Sequence, residues 1–126
     1  MAHKILIVED NEDNRELFVD VLAIHGYDIT TANNGQEGVA LARQMMPDLI
    51  LMDIQMPVMD GITAASILKK DQATSGLRII ALTSFAMRGD EEKFLATGFD
   101  DYLRKPIDTR ELPGLVKGWL QLEIKA

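Results

Sequence analysis

Four short motifs could do chemistry in this chain: Glu9-Asp10, Asp53, Thr83-Ser84 and Lys105-Pro106. Each closes a short run of aliphatic or β-branched residues, so each is placed to sit at the end of a strand. Carboxylates gathered without partners repel one another and raise one another's pKa. A divalent cation removes that conflict, and a site built from oxygen alone favours magnesium or manganese. A hydroxyl and a compact ammonium beside such a cation complete a set suited to a phosphoryl group. The cation offsets charge on the transferring group, lysine pairs with its oxygens, and the threonine hydroxyl bonds another. The nucleophile is then one of the carboxylates.

These residues must meet for any of this to happen, which depends on the elements that carry them. Five runs read as strands: Ile5-Leu6-Ile7-Val8, Tyr27-Asp28-Ile29-Thr30-Thr31, Leu49-Ile50-Leu51-Met52, Arg78-Ile79-Ile80-Ala81-Leu82 and Asp101-Tyr102-Leu103. Three are almost continuously apolar, as parallel strands covered on both faces are, and the more polar second run suits a sheet edge. Helical patterns alternate with them. Leu17, Val21 and Ile24 recur at helical spacing after Asn11, an expected N-cap, with Gly26 as the stop. Asn34-Gly35 reads as a turn, and a second helix runs from Gln36 to Met46, before Pro47. Asp60 caps a third carrying Ile62, Ala65 and Leu68, with Gly76 in the loop beyond, and Asp90 to Thr97 forms a fourth ending at Gly98. In the last helix Leu112, Leu115, Val116 and Trp119 share a face. Pro113 is expected at its first position, and Gly114 and Gly118 weaken it, which predicts a short or irregular helix.

A βα unit repeated five times predicts a flavodoxin-like, doubly wound (βα)5 fold with a five-stranded parallel sheet in the order 2-1-3-4-5. Ligands bind such sheets beyond the carboxyl ends of the strands, where the order reverses between the first and third. Glu9-Asp10 and Asp53 converge there, and Asp53, at the centre, is the preferred nucleophile. Thr83-Ser84 and Lys105-Pro106 reach the same rim.

The ordered set of Glu9-Asp10, Asp53 within Leu-Ile-Leu-Met-Asp-Ile-Gln-Met-Pro-Val-Met-Asp-Gly, Thr83-Ser84 and Lys105-Pro106 resembles the receiver domain of bacterial two-component response regulators, essentially from end to end. The resemblance implies that Asp53 is the phosphoacceptor and that Asp10, Asp53 and the Gln55 carbonyl bind magnesium directly, with Glu9 acting through water. It implies that Thr83 and Lys105 hold the phosphoryl oxygens and that the Lys105-Pro106 bond is cis. Thr83 and Tyr102 would form the switch, reporting to the face made by the fourth helix, fifth strand and fifth helix. Gln55, Ser84 and Phe85 would tune the site, and Phe85, Met87 and Arg88 are candidate partner contacts. The donor would be a sensor histidine kinase or a histidine phosphotransfer protein, and the output a protein contact made by a monomer or weak dimer.

Composition narrows the rest. A length of 126 residues predicts one domain over 1–126, and the chain stops soon after the fifth helix, so no output domain is expected. The start at Met1 favours a stand-alone regulator over a phosphorelay intermediate or a piece of a hybrid kinase. Apolar content of 47% with 26% charged residues is ordinary for a globular protein. There is no cysteine, which excludes disulfides and thiol chemistry. No signal peptide or membrane span is legible, so a cytoplasmic address is expected. The net charge of −7 argues against direct nucleic-acid binding. The competing functions are a magnesium-dependent phosphatase or phosphotransferase of the haloacid dehalogenase type, and a receiver-like module working without phosphorylation. The first lacks its Asp-x-Asp after the first strand, and the intact acid, threonine and lysine set opposes the second. No glycine-rich nucleotide motif follows any strand. Met45, Met46, Met52, Met56 and Met59 read as packing, Trp119 as partly buried packing, His3 and His25 as surface residues, and Glu91-Glu92 as a solvated face.

Overall fold

The computed structural model of the protein describes residues 2–84 and 90–121. Its elements alternate throughout: β1 (Lys4–Val8), α1 (Glu12–Ala23), β2 (Asp28–Ala32), α2 (Gly35–Met45), β3 (Leu49–Asp53), α3 (Gly61–Lys70), β4 (Ile79–Thr83), α4 (Asp90–Thr97), β5 (Asp101–Arg104) and α5 (Leu112–Gln121). The strands form one parallel sheet in the order β2-β1-β3-β4-β5. Ile7 pairs with Thr31 on one side and Leu51 on the other, and Asp53 pairs with Leu82. Every residue of β3 and β4 is buried, whereas the edge strand β2 buries only Ala32 fully.

Successive strand side chains point to opposite faces, so the continuous apolar runs feed two cores. Leu6, Val8, Ile50, Met52, Ile79 and Ala81 pack with residues of α2 and α3. Ile5, Ile7, Leu49, Leu51, Ile80 and Leu82 pack with Phe18 and Leu22 of α1 and with Leu112, Val116 and Trp119 of α5. Side-chain caps fix the starts of three helices. Asn11 accepts from the Asn14 N–H at 2.9 Å, Asn34 from Glu37 at 2.9 Å and Asp60 from Thr63 at 2.7 Å, each worth roughly 1 kcal/mol.

The structure corrects the sequence reading in three helices. In α1 the buried residues are Phe18 and Leu22, one position on from the expected stripe, while Leu17 is 44% and Ile24 82% exposed. Leu17-Phe18 and Val21-Leu22 are adjacent apolar pairs, so spacing alone allowed either row to face inward. Asn34-Gly35 is no free turn: Asn34 caps α2 and Gly35 is its first residue. A Cβ at Gly35 would lie 2.3 Å from the Met59 carbonyl oxygen, so only glycine lets α2 start against the loop after β3. In α5 the expected weakness is absent. The helix spans 10 residues, as many as α3, with Leu112 rather than Pro113 first. The Leu112 N–H donates to the Asp108 carbonyl at 3.0 Å, which leaves Pro113 in the first turn, where its missing N–H costs no helical bond. A Cβ at Gly114 or Gly118 would meet nothing within 4 Å. Leu115 is exposed instead of sharing the buried face, and Trp119 is buried more completely than expected, its Nε1–H donating to Asp101 Oδ2 at 3.0 Å.

Candidate functional site

Because β1 and β3 are neighbours and run parallel, the residues at their carboxyl ends come together. Glu9 follows β1, and its N–H donates to the Ala32 carbonyl at 3.1 Å, carrying the ladder one residue past the strand. Its side chain is completely buried. Asp53 ends β3 and is 4% exposed, whereas Asp10 is exposed. Each of the three acids offers a carboxylate oxygen, and these oxygens lie within 4.8 Å of one another.

One cation serves two of them. Lys105 Nζ lies 3.0 Å from Glu9 Oε1 and 3.1 Å from Asp53 Oδ2. The lysine is held at the rim by its backbone, whose N–H donates to the Thr83 carbonyl at 2.7 Å, and the Lys105-Pro106 bond is cis. Thr83 is buried at the end of β4, and Ser84 beside it is exposed. The Gln55 N–H donates to Asp53 Oδ1 at 3.2 Å. Asn14 Nδ2 adds a bond to Glu9 Oε1 at 3.1 Å, but Glu9 Oε2 is buried without a hydrogen-bond partner among the described residues.

These contacts set the charge state. Burial pushes the Glu9 carboxyl up to about 7, the neighbouring Asp53 carboxylate pushes the same way, and Lys105 offsets part of the rise. Burial would lower Lys105, but its bond to Glu9 and the charges of Asp53 and Glu9 outweigh it and raise the ammonium's pKa. Three carboxylates against one ammonium leave the site short of positive charge. The donor set is oxygen only, and the partnerless Glu9 Oε2 is the kind of atom a hard divalent cation or its water shell satisfies. The residues therefore fit magnesium. Asp10, Gln55, Asp60 and the apolar Ile54, Met56, Pro57 and Ile62 line an adjoining cleft of about 450 Å3.

Glu9, Asp10, Asp53 and Lys105 thus meet as the sequence predicts, with Thr83 and Gln55 joined to them through backbone bonds. Tyr102 is half-buried in β5, paired in register with Ala81 and packed against the core that α2 and α3 share. Phe85, Met87 and Arg88 lie outside the described residues. Sequence reasoning missed Asn14 and Arg15. Arg15 Nη1 donates to the Glu9 carbonyl at 2.9 Å and so fastens the acidic loop to α1. The Asn11 cap held the signal, because it places both residues in the first turn facing back toward Glu9. Gly61 was missed too. Its N–H donates to the Ile54 carbonyl at 2.9 Å, and a Cβ there would lie 2.2 Å from the Asp53 carbonyl oxygen.

Comparison with known proteins gives a consistent result. A family model described as the response regulator receiver domain matches residues 5–117. The polar-differentiation response regulator DivK of Brucella anthropi is 42% identical over 120 residues, covering 95% of this chain and 98% of that protein. Among solved structures, the receiver domain of the sensor histidine kinase PA1611 from Pseudomonas aeruginosa superposes with a TM-score of 0.86 at 36% identity, covering 95% of this chain and 98% of that one. That structure has a magnesium ion coordinated in its active-site cleft. The chemotaxis protein CheY4 of Vibrio cholerae gives a TM-score of 0.87 at 26% identity, covering 94% and 98%.

Proposed function

The chain belongs to the response regulator receiver family, and from that premise we propose that it accepts a phosphoryl group on Asp53 and thereby switches its protein contacts. The observation that carries this reading is the shared ammonium: Lys105 Nζ sits between Glu9 and Asp53, and Glu9 keeps a buried carboxylate oxygen without a partner among the described residues. The donor is a phosphohistidine on a sensor histidine kinase or a histidine phosphotransfer protein. A carboxylate oxygen of Asp53 bonds to phosphorus as the phosphorus–nitrogen bond breaks, and the imidazole leaves with that electron pair.

Magnesium, or manganese in the same oxygen set, would be held by Asp10, Asp53 and the Gln55 carbonyl, with Glu9 acting through water, and would supply charge stabilisation of the transferring group. Lys105 exchanges its Asp53 contact for a phosphoryl oxygen while remaining paired with Glu9. The Thr83 hydroxyl donates to another oxygen. Gln55 and Ser84 flank the acceptor and tune its hydrolysis, as does Phe85, which is outside the described residues.

Phosphorylation adds roughly −1.5 to −2 charge and strong acceptor oxygens, on the pattern of other phosphorylated side chains. Thr83 moves toward those oxygens, Tyr102 rotates into the space released, and the face of α4, β5 and α5 changes its affinity for a downstream protein. The protein is a signalling phosphoacceptor rather than a turnover enzyme, catalysing only its own phosphorylation and dephosphorylation. On this reading the chain acts as a single receiver domain, matched over residues 5–117, and works in the cytoplasm. No helix among the described residues is long and apolar enough to cross a membrane.

Treatment with acetyl phosphate and magnesium, then borohydride reduction and peptide mapping, tests the assignment. An aspartyl phosphate is reduced to homoserine, expected at position 53 and only when magnesium is present. Reduction at another acid, or equal reduction in EDTA, contradicts it.

A further inference from the structure

A second cavity lies at the end of the sheet remote from the acids. Glu9 and Asp53 sit at the carboxyl ends of β1 and β3, whereas His3 precedes β1 and Tyr27 precedes β2. These two strand starts are tied together, the Asp28 N–H donating to the His3 carbonyl at 2.9 Å. His25 follows α1, and Lys117, Leu120 and Gln121 come from the second half of α5. Together these residues line a cavity of about 280 Å3.

Its lining is unlike the rest of this acidic chain. Asp and Glu number 20 against 13 Lys and Arg, yet none of the described residues that line the cavity is a carboxylate. Tyr27 is half-buried against the core of α1 and α5 and is in ring contact with both imidazoles. Its centroid lies 6.5 Å from His3, edge-on, and 6.3 Å from His25, tilted. His3, His25, Lys117 and Gln121 are exposed at the mouth of the cavity, and their side chains have no hydrogen-bond or ion-pair partner among the described residues. An ammonium, an amide and two imidazoles thus offer N–H groups around an aromatic ring, with Leu120 supplying apolar surface. The volume falls just below the ~300–1,000 Å3 usual for small-molecule sites, which suits a ligand with one ring.

We propose that this cavity binds a small aromatic anion, a single ring bearing a phosphate or carboxylate. The ring packs on Tyr27 and the imidazoles, and the anionic group takes the Lys117 ammonium and the Gln121 amide. Such a ligand would bridge the starts of β1 and β2 to α5, a site independent of the acids at the other end of the sheet.

The test is a proton–nitrogen NMR titration of the labelled full chain with phenyl phosphate, in EDTA to keep the acidic site free of metal. Phenol and inorganic phosphate are titrated in parallel. Saturable shifts are expected at the His3, Tyr27 and Lys117 amides, with binding roughly tenfold weaker in Lys117→Glu, the loss of one charge-assisted contact. Phenol and inorganic phosphate should each bind more weakly than the molecule that joins them, and His25→Gln should weaken phenyl phosphate. If Lys117→Glu perturbs the spectrum of the free protein, Lys117→Gln carries the same comparison. Absence of saturable shifts at this end of the sheet overturns the proposal, as does undiminished affinity in the Lys117 variant or equal binding of inorganic phosphate.

Discussion

Replacing Glu9 by glutamine should stabilise the metal-free protein at alkaline pH and leave it nearly unchanged in acid. Glu9 has a folded-state pKa of about 7 against a reference of 4.5, chiefly because its side chain is wholly buried and faces Asp53. A raised folded pKa means that the native state holds the proton more tightly than the unfolded chain. The stability this gives is complete below about 4.5 and is lost as pH rises through about 7. At 1.36 kcal/mol per unit, ionising Glu9 in the folded protein costs about 3 kcal/mol by pH 8. Glutamine has the same shape, keeps an acceptor for Lys105 and Asn14, and carries no charge at any pH. Urea unfolding in EDTA, followed by circular dichroism at pH 4.5 and pH 8, measures both proteins. The stability of Glu9→Gln relative to wild type should rise by about 3 kcal/mol between the two pH values. Groups remote from Glu9 cancel in that difference, whereas Asp53 and Lys105, which touch it, contribute to the change. A difference that stays constant across the range would refute the argument that burial and Asp53 hold the Glu9 proton.

Magnesium binding should release a proton below pH 7, as Glu9 ionises to join the cation, and release little at pH 9; calorimetry in two buffers of different ionisation enthalpy reads this directly. Lys105→Ala leaves Glu9 and Asp53 buried without their shared partner, and should cost roughly 3 kcal/mol of metal-free stability at pH 8 in urea unfolding. Gly61→Ala drives a Cβ to 2.2 Å from the Asp53 carbonyl oxygen. It should cost about 1–3 kcal/mol in thermal unfolding and slow phosphorylation by shifting the acceptor; an unchanged melting temperature would mean that the loop moves aside freely.

What the sequence made legible was whatever local chemistry dictates. Buried parallel strands demand continuous apolar runs, so β1, β3 and β4 were visible, as was the edge position of the more polar β2. Asn11 and Asp60 stand just before residues with helical apolar spacing, which marks them as caps, and both are. Strand ends then placed Glu9, Asp10, Asp53 and Lys105 together. What escaped depends on tertiary choices. Two apolar rows on α1 satisfy the helical period, and only the sheet beneath selects Phe18 and Leu22. Asn34 beside Gly35 reads as a turn, and only the bond it accepts from the Glu37 N–H shows it to be a cap. The propensity argument against α5 was overridden by burial of Leu112, Val116 and Trp119. The Asn11 cap puts Asn14 and Arg15 in the first turn of α1, but the atoms of Glu9 they reach depend on the path of the loop between them.

The central claim is that Asp53 receives a phosphoryl group in a magnesium-dependent reaction. Incubating wild type and Asp53→Asn with magnesium and acetyl phosphate, then comparing intact masses, tests it most directly. A labile phosphoryl adduct on wild type alone is the predicted result. An adduct on both proteins, or on neither once magnesium binding is confirmed, would contradict it.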